Sequence, residues 1–278
     1  MKEYFPPGRN LAFPGEQPKQ KIIAAIPAYN EAKYIGQVVR QTKKYVHQVI
    51  VVDDGSTDET AQVAKTAGAT VVKHKINMGK GVSINTAFQI ARQTKPFAMV
   101  LLDADGQHDP KEIPLLLEPL FQNGTDMVVG SRFMTNNHIP RYRLLGQSVL
   151  NLTTYLGSGI KLNDSQSGFR AFSQKAIEYL SFDEEGFAVE SEMQFQAKKW
   201  GLRVAEVPIT TNYNGEIKRS PAAHGFGVLF RVIKLTGDKY LNSYLNLNNQ
   251  VNNYKANIPR QYIPFPQENI QVTEAKNQ

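Results

Sequence analysis

The 278-residue chain has no cysteine, which excludes disulfides, thiolate metal sites and cysteine nucleophiles. That absence suits a reducing compartment, so a cytoplasmic location is expected. Long apolar runs are also missing. No window approaches the roughly 20 apolar residues of a membrane-spanning helix. The nearest candidate, Leu144 to Ile160, is broken by Gln147, Asn151, Thr153 and Thr154. The stretch from Met1 to Lys21 is rich in proline, glycine and charge and lacks the apolar core of a signal peptide. There is no long block of one charge either. The formal net charge is +7, but basic residues come in scattered pairs such as Lys43-Lys44 and Lys218-Arg219. That is the pattern of a solvated surface, and no nucleic-acid partner is expected. A basic surface still concentrates anions such as phosphorylated substrates or anionic lipid. Finally, no GxGxxG follows the first apolar strand and no GxxxxGK[ST] occurs. Their absence argues against a dinucleotide oxidoreductase and against a P-loop enzyme.

What is present is enough apolar material for a sizeable core: 41% hydrophobic against 21% charged residues. Lys21 to Ile26 reads as a fully apolar strand stopped by Pro27, with Asn30 available to cap the next helix, whose apolar face is Ile35, Val38, Val39 and Val46. Val49 to Val52 is a second strand. Ser56 and Glu59 have capping-box spacing, and Gly68 stands where that helix should stop. Strands at 69–73, 97–102 and 126–129 alternate with helices at 81–92 and after Asp109-Pro110. Continuous apolar strands alternating with helices predict one α/β domain with a mostly parallel sheet covered on both faces. Helices are expected over 143–155, 173–180 and 190–200, a strand over 203–209, and a last helix carrying Phe226, Leu229, Phe230 and Ile233. The domain is expected over 21–238, after a 1–20 extension and before a polar, loosely ordered tail at 239–278.

In an open parallel sheet, ligands bind beyond the carboxyl ends of the strands. Polar clusters follow all five early strands: 27–31, 53–58, 77–81, 103–109 and 130–132. Asp103 and Asp105, two apart at a strand end, can point to one side and would repel each other without a cation. Mg²⁺ or Mn²⁺ bound through oxygen answers this, leaving positions for water and substrate phosphates. Gln107 and His108 are possible extra ligands. Asp53 and Asp54 can accept hydrogen bonds from a base N–H or a ribose hydroxyl. Asn77-Met-Gly-Lys80-Gly precedes a helix and suits an anionic ligand.

Taken in order, Ile26-Pro-Ala-Tyr-Asn-Glu31, Val51-Val-Asp-Asp-Gly-Ser-Thr-Asp58, Asn77-x-Gly-Lys-Gly81, Asp103-Ala-Asp105 and Gly130-Ser-Arg132 resemble the family 2 glycosyltransferases of GT-A fold. Among these the chain is most similar to the dolichyl-phosphate mannose and polyprenyl-phosphate sugar synthases, over roughly residues 20–235. The resemblance implies a metal-dependent, inverting glycosyltransferase that uses a nucleotide-sugar donor, GDP-mannose or a UDP-sugar. It implies that Pro27, Tyr29, Glu31, Asp53 and Asp54 hold the nucleoside, and that Asp103, Asp105 and Gln107 bind the metal on the diphosphate. Arg132 and Arg143 would meet an acceptor phosphate. Asp164 and Ser167-Gly-Phe-Arg170 would shape the acceptor side, and Arg219 and Ser220 would close over the diphosphate.

A lipid phosphate acceptor needs no general base, whereas a sugar hydroxyl would need one, with Asp164 or Glu190 as candidates. Both acceptors remain open at this point, as does a module that binds nucleotide-sugars without turnover. Many relatives append membrane helices. Here a polar tail follows, so contact with a lipid acceptor would be peripheral, at the cytoplasmic face, through Arg141, Arg143 and the helix to Ile160. Gly146 departs from the serine of some lipid-phosphate synthases.

Overall fold

The computed structural model describes residues 21–134, 141–184, 186, 188–211, 230, 232–234, 237 and 270–273, with 141–145 and 270–273 described by backbone alone. Its strands are β1 (Ile22–Ala28), β2 (Gln48–Asp53), β3 (Thr70–His74), β4 (Ala98–Leu101), β5 (Met127–Ser131), β6 (Arg170–Ser173), β7 (Val204–Pro208) and β8 (Ile270–Thr273). The helices are α1 (Ala32–Thr42), α2 (Thr60–Thr66), α3 (Lys80–Thr94), α4 (Ile113–Gln122), α5 (Arg141–Ser158), α6 (Gln174–Tyr179) and α7 (Val189–Lys199).

The strands form one sheet in the order β7-β5-β6-β4-β1-β2-β3-β8. Only β6 and β8 run against the rest. Every residue of β1, β4 and β5 is buried, as continuous apolar strands inside a two-faced sheet should be. Alternate residues feed separate cores. Ile22, Ala24 and Ile26 pack with α1, α2 and α4, while Ile23 and Ala25 pack with α3, α6 and α7. In the second core Phe88 is wedged edge-on between Phe172 and Phe182, with ring centroids 5.0 and 5.1 Å away.

Several local expectations are corrected. Pro27 does not stop β1, which runs to Ala28. Ala28 O accepts from Asp54 N beyond β2, so by alternation the missing N–H of Pro27 faces β4, where pairing has already ended at Ala25. Asn30 does not cap α1. It takes a left-handed conformation (φ 54°), and its side chain accepts from Thr57 N at 2.9 Å. The start of α1 is capped from across the loop by Asp58, which accepts from Ala32 N at 3.1 Å. Ser56 and Glu59 form no capping box, because Ser56 Oγ instead accepts from Asn30 N at 2.9 Å. Gly68 does end α2, with φ 92° just after the C-cap.

Strand β6 was not foreseen, and β8 arises within the stretch read as poor in pattern. Phe230 and Ile233 are helical, while Phe226 and Leu229 lie outside the described residues. The 1–20 extension and the rest of 239–278 lie outside them as well.

Candidate active site

The polar clusters meet along the carboxyl ends of the parallel strands. At β1 and β2 the loops interlock: Glu31 N donates to Thr60 Oγ1 at 2.7 Å, while Asn30 donates its N–H to Ser56 Oγ and accepts from Thr57 N through its side chain. Asp53 is fully buried. Its Oδ1 accepts from Ser56 N at 3.0 Å, while Oδ2 lies 3.4 Å from Lys73 Nζ and makes no hydrogen bond. Tyr29 stands half-exposed beside these loops.

Asp54 has a different environment from its neighbour. It accepts from Met78 N (2.9 Å), Gly79 N (2.8 Å) and His74 Nδ1 (2.8 Å). His74 in turn reaches Thr86 of α3 through Nε2 at 3.0 Å. Gly79 carries φ 100° at the start of α3, a conformation open to glycine. Asp54 therefore holds the turn that launches α3, and Lys80 is the first residue of that helix. Asn77 is exposed on the same turn.

Lys80 Nζ lies 2.7 Å from Asp103 Oδ1 and 2.8 Å from Glu190 Oε1. Burial works to lower the Lys80 pKa, but Asp103 and Glu190 outweigh it and hold the ammonium above its ordinary value. Burial likewise opposes ionisation of Asp103, but Lys80 and Arg132 bring it down to about 2. Asp105 moves the other way. Burial, the charge of Asp103 and the nearby Glu31 push it up to about 6, although its Oδ1 accepts from Gln107 N at 3.0 Å. Gly168 lies directly against Asp103: a Cβ there would stand 2.5 Å from Asp103 Oδ2. His108 lies beside the acidic pair with its Nδ1 turned to the backbone. It is buried, stacks on Phe169 at 5.1 Å, and its Nδ1 accepts from Asp103 N at 3.4 Å; burial lowers its pKa to about 4.

On the other flank, Arg132 grips Asp164 with two parallel bonds, Nε to Oδ2 at 2.6 Å and Nη2 to Oδ1 at 2.8 Å. Asp164 is fully buried and also accepts from Arg132 N and Gln147 Nε2. Glu206 of β7 holds the same loop by accepting from Asn163 N and Asp164 N. Arg170 has no exposure and spends its guanidinium on the carbonyls of Ser165, Ser167 and Glu190, tying the 165–168 turn to α7. Burial brings its pKa down to about 10. Thr210 donates to Glu112, and Thr211 Oγ1 donates to Gln107 O at 3.4 Å, so the chain leaves β7 beside the acidic loop.

The structure thus brings Pro27, Tyr29, Glu31, Asp53, Lys80, Asp103, Asp105, Gln107, Arg132 and Asp164 to one rim. Arg143 sits on the first turn of α5, but its side chain lies outside the described residues, as do Arg219 and Ser220 entirely. Sequence reasoning missed His74 and the cap from Asp58, and it gave Glu190 no role with Lys80. Contacts between residues so far apart in sequence leave no spacing to read.

Among the described residues no group of three or more histidine, cysteine or acidic side chains forms a ready metal cage. The donor chemistry still fits Mg²⁺ or Mn²⁺. Asp103 and Asp105 offer carboxylate oxygens whose mutual repulsion a cation would relieve, and such ions keep several positions for water and phosphate.

Comparison with known proteins gives a concordant picture. The family model described as "Glycosyl transferase family 2" matches residues 23–181. The chain is 39% identical over 224 residues to an uncharacterized protein of Methanocaldococcus jannaschii, covering 77% of this chain and 92% of that one. It is 32% identical over 245 residues to the UDP-N-acetylglucosamine–dolichyl-phosphate N-acetylglucosaminyltransferase of Methanococcus voltae, covering 79% and 98%. Among solved structures it resembles glucosyl-3-phosphoglycerate synthase of Mycobacterium tuberculosis in complex with Mn²⁺, UDP and glucosyl-3-phosphoglycerate. That match has a TM-score of 0.65 over 80% of each chain at 22% identity, a likeness of fold.

Proposed function

This chain is a member of glycosyl transferase family 2, a glycosyltransferase of GT-A fold, and from that premise we propose that it moves a sugar from a nucleoside-diphosphate donor to a polyprenyl phosphate. The observation that carries this reading is the pairing of charges on one rim. Asp103 is bonded to Lys80 at 2.7 Å and feels the positive charge of Arg132, and its own charge acts in turn on Asp105.

In this reading Pro27, Tyr29, Glu31 and Asp53 hold the nucleoside, and Asp53 also fixes its loop by accepting from Ser56 N. Asp54 acts indirectly, by fixing the turn that carries Asn77 and Lys80. A divalent cation held by Asp103 and Asp105, with Gln107 beside them, would neutralise charge building on the departing diphosphate. Lys80 faces the same diphosphate, and Arg219 and Ser220 are proposed to close over it. Arg132, fixed by Asp164, and Arg143 orient the acceptor phosphate. One of its oxygens forms a bond to the anomeric carbon as the bond to the donor's β-phosphate oxygen breaks, with inversion. No proton moves.

The two carboxylates considered as bases favour a phosphate acceptor over a sugar hydroxyl. Asp164 already accepts from Arg132 and Gln147, and Glu190 is committed to Lys80. Both are thus occupied in holding a cationic side chain, and an anionic phosphate needs no base. The relative from Methanococcus voltae, whose name specifies a dolichyl-phosphate acceptor, supports the same choice. Contact with the lipid is proposed to be peripheral, at the cytoplasmic face. No described helix is long and apolar enough to cross a membrane.

Calorimetric titration with UDP and GDP, with and without Mn²⁺, tests the donor half: one nucleotide should bind more tightly with the metal. Incubation of the matching nucleotide-sugar with a short-chain polyprenyl phosphate tests the acceptor half. Radiolabel should pass into the lipid extract. Transfer to glycan hydroxyls with none to the lipid phosphate would refute the acceptor.

A further inference from the structure

Lys80 is one ammonium shared by two carboxylates from elements far apart in sequence, Asp103 after β4 and Glu190 in the first turn of α7. Both contacts have the length of charge-assisted hydrogen bonds. Glu190 is 2% exposed, and its second oxygen, Oε2, is buried without a hydrogen-bond partner. A buried carboxylate left incompletely satisfied is costly unless a cation holds it. Two cations face this one: Lys80 in direct contact, and Arg170, whose guanidinium donates to the Glu190 backbone carbonyl. The group does not reach substrate in the reading above, so its burial beside Lys80 calls for another explanation.

We infer that Glu190 is a positioning residue that sets how strongly the acidic pair attracts a divalent cation, by taking a share of Lys80 away from Asp103. This rests on the metal-dependent reading above. An ammonium anchored by Asp103 alone would occupy the oxygen a cation needs and repel that cation. With Glu190 present, Lys80 keeps a second anchor when a cation takes Asp103, and its charge toward the site is offset. Gly168 packs against Asp103 Oδ2, so Asp103 has little room to swing away from Lys80 instead. Release of Asp103 must then come from the lysine, and Glu190 is the group placed to receive it.

The test measures Mn²⁺ binding to the full chain by the electron paramagnetic resonance of free Mn²⁺, alone and with UDP or GDP. The proteins are the unmodified chain, E190Q, K80M and K80M/E190Q, with circular-dichroism melts to verify folding. E190Q is expected to raise the Mn²⁺ dissociation constant about tenfold, a coupling usual for groups in direct contact. In the K80M background the same change should have less than about a twofold effect, because no competing ammonium remains. An equal loss in both backgrounds would show that Glu190 acts only as a remote negative charge or through packing, and would overturn the inference. So would an E190Q protein that binds Mn²⁺ like the unmodified chain. If E190Q does not fold, E190D, one methylene short of Lys80, should show a smaller loss that K80M abolishes; a loss that survives K80M refutes the inference. An unmodified chain that binds no Mn²⁺ with either nucleotide removes the metal reading and this inference together, whereas binding that ignores Glu190 removes the inference alone.

Discussion

Gly168 illustrates how little space the acidic pair is given. Its backbone conformation asks nothing special of glycine, but a methyl group there would stand 2.5 Å from Asp103 Oδ2 and 2.9 Å from Cγ. Gly168→Ala should fold and yet displace the carboxylate, lowering kcat/KM by about a hundredfold, the scale of a 1 Å misplacement. Steady-state kinetics beside a thermal melt would check this, and unchanged kinetics would mean that Asp103 is free to move aside. His108 offers a test in pH. Its folded pKa is depressed to about 4 from an ordinary 6.5, so the unfolded chain binds the proton more readily. Its contribution to stability is complete above pH 6.5 and is lost as pH falls toward 4. The Tm advantage of the unmodified chain over His108→Asn should therefore shrink across that window. A gap that stays constant would remove the buried neutral imidazole from the account.

At the scale of elements, α3 is placed by what precedes it. Asp54 receives two half-buried backbone N–H groups and a buried histidine, so Asp54→Ala leaves all three without their acceptor. A loss of about 3 kcal/mol is expected in urea melts, as for a broken buried pair. Nucleotide affinity should fall with it, because Lys80 loses its launching turn. Retained stability would mean that the turn holds itself. This arrangement also shows what could be read in advance. The apolar runs of β1, β2, β4 and β5 and the stop at Gly68 were legible, since burial on two faces and a left-handed C-cap leave local signatures. Asn30 and Ser56 misled because a side chain that can cap its own helix can equally serve a neighbouring loop. Strand β6 stayed hidden: four residues long, it begins with Arg170, a charge buried only because the carbonyls of Ser165, Ser167 and Glu190 receive it. In the site, the acidic pair and the basic residues were visible as types at strand ends. Whether Asp164 would be a base or the clamp on Arg132 depended on partners that no spacing encodes.

For the molecule as a whole, the sheet separates two cores that carry different loads. The core beneath α3, α6 and α7 contains the Phe88–Phe172–Phe182 cluster and supports both Lys80 and Glu190 from below. Phe88→Ala should cost about 3–5 kcal/mol in chemical denaturation, the range for an emptied aromatic site. A cost below about 1 kcal/mol would indicate that the core collapses into the space.

The reversed strand β6 has a consequence for how such a protein can diversify. Val129 and Arg170 are register partners on adjacent strands, and Gly130 N donates to Phe169 O at 2.9 Å. The chain from residue 132 to 168 is therefore an excursion whose two ends are clasped side by side at the rim. Its exchange for a segment of another length would barely alter the entropy of joining those ends. Strand β2, which ends at Asp53, and the loop after β4 that carries Asp103 lie outside the excursion. If the proposed roles of Arg132 and Asp164 hold, grafting it between relatives should change the acceptor that is used, provided that the graft keeps Gly168 against Asp103.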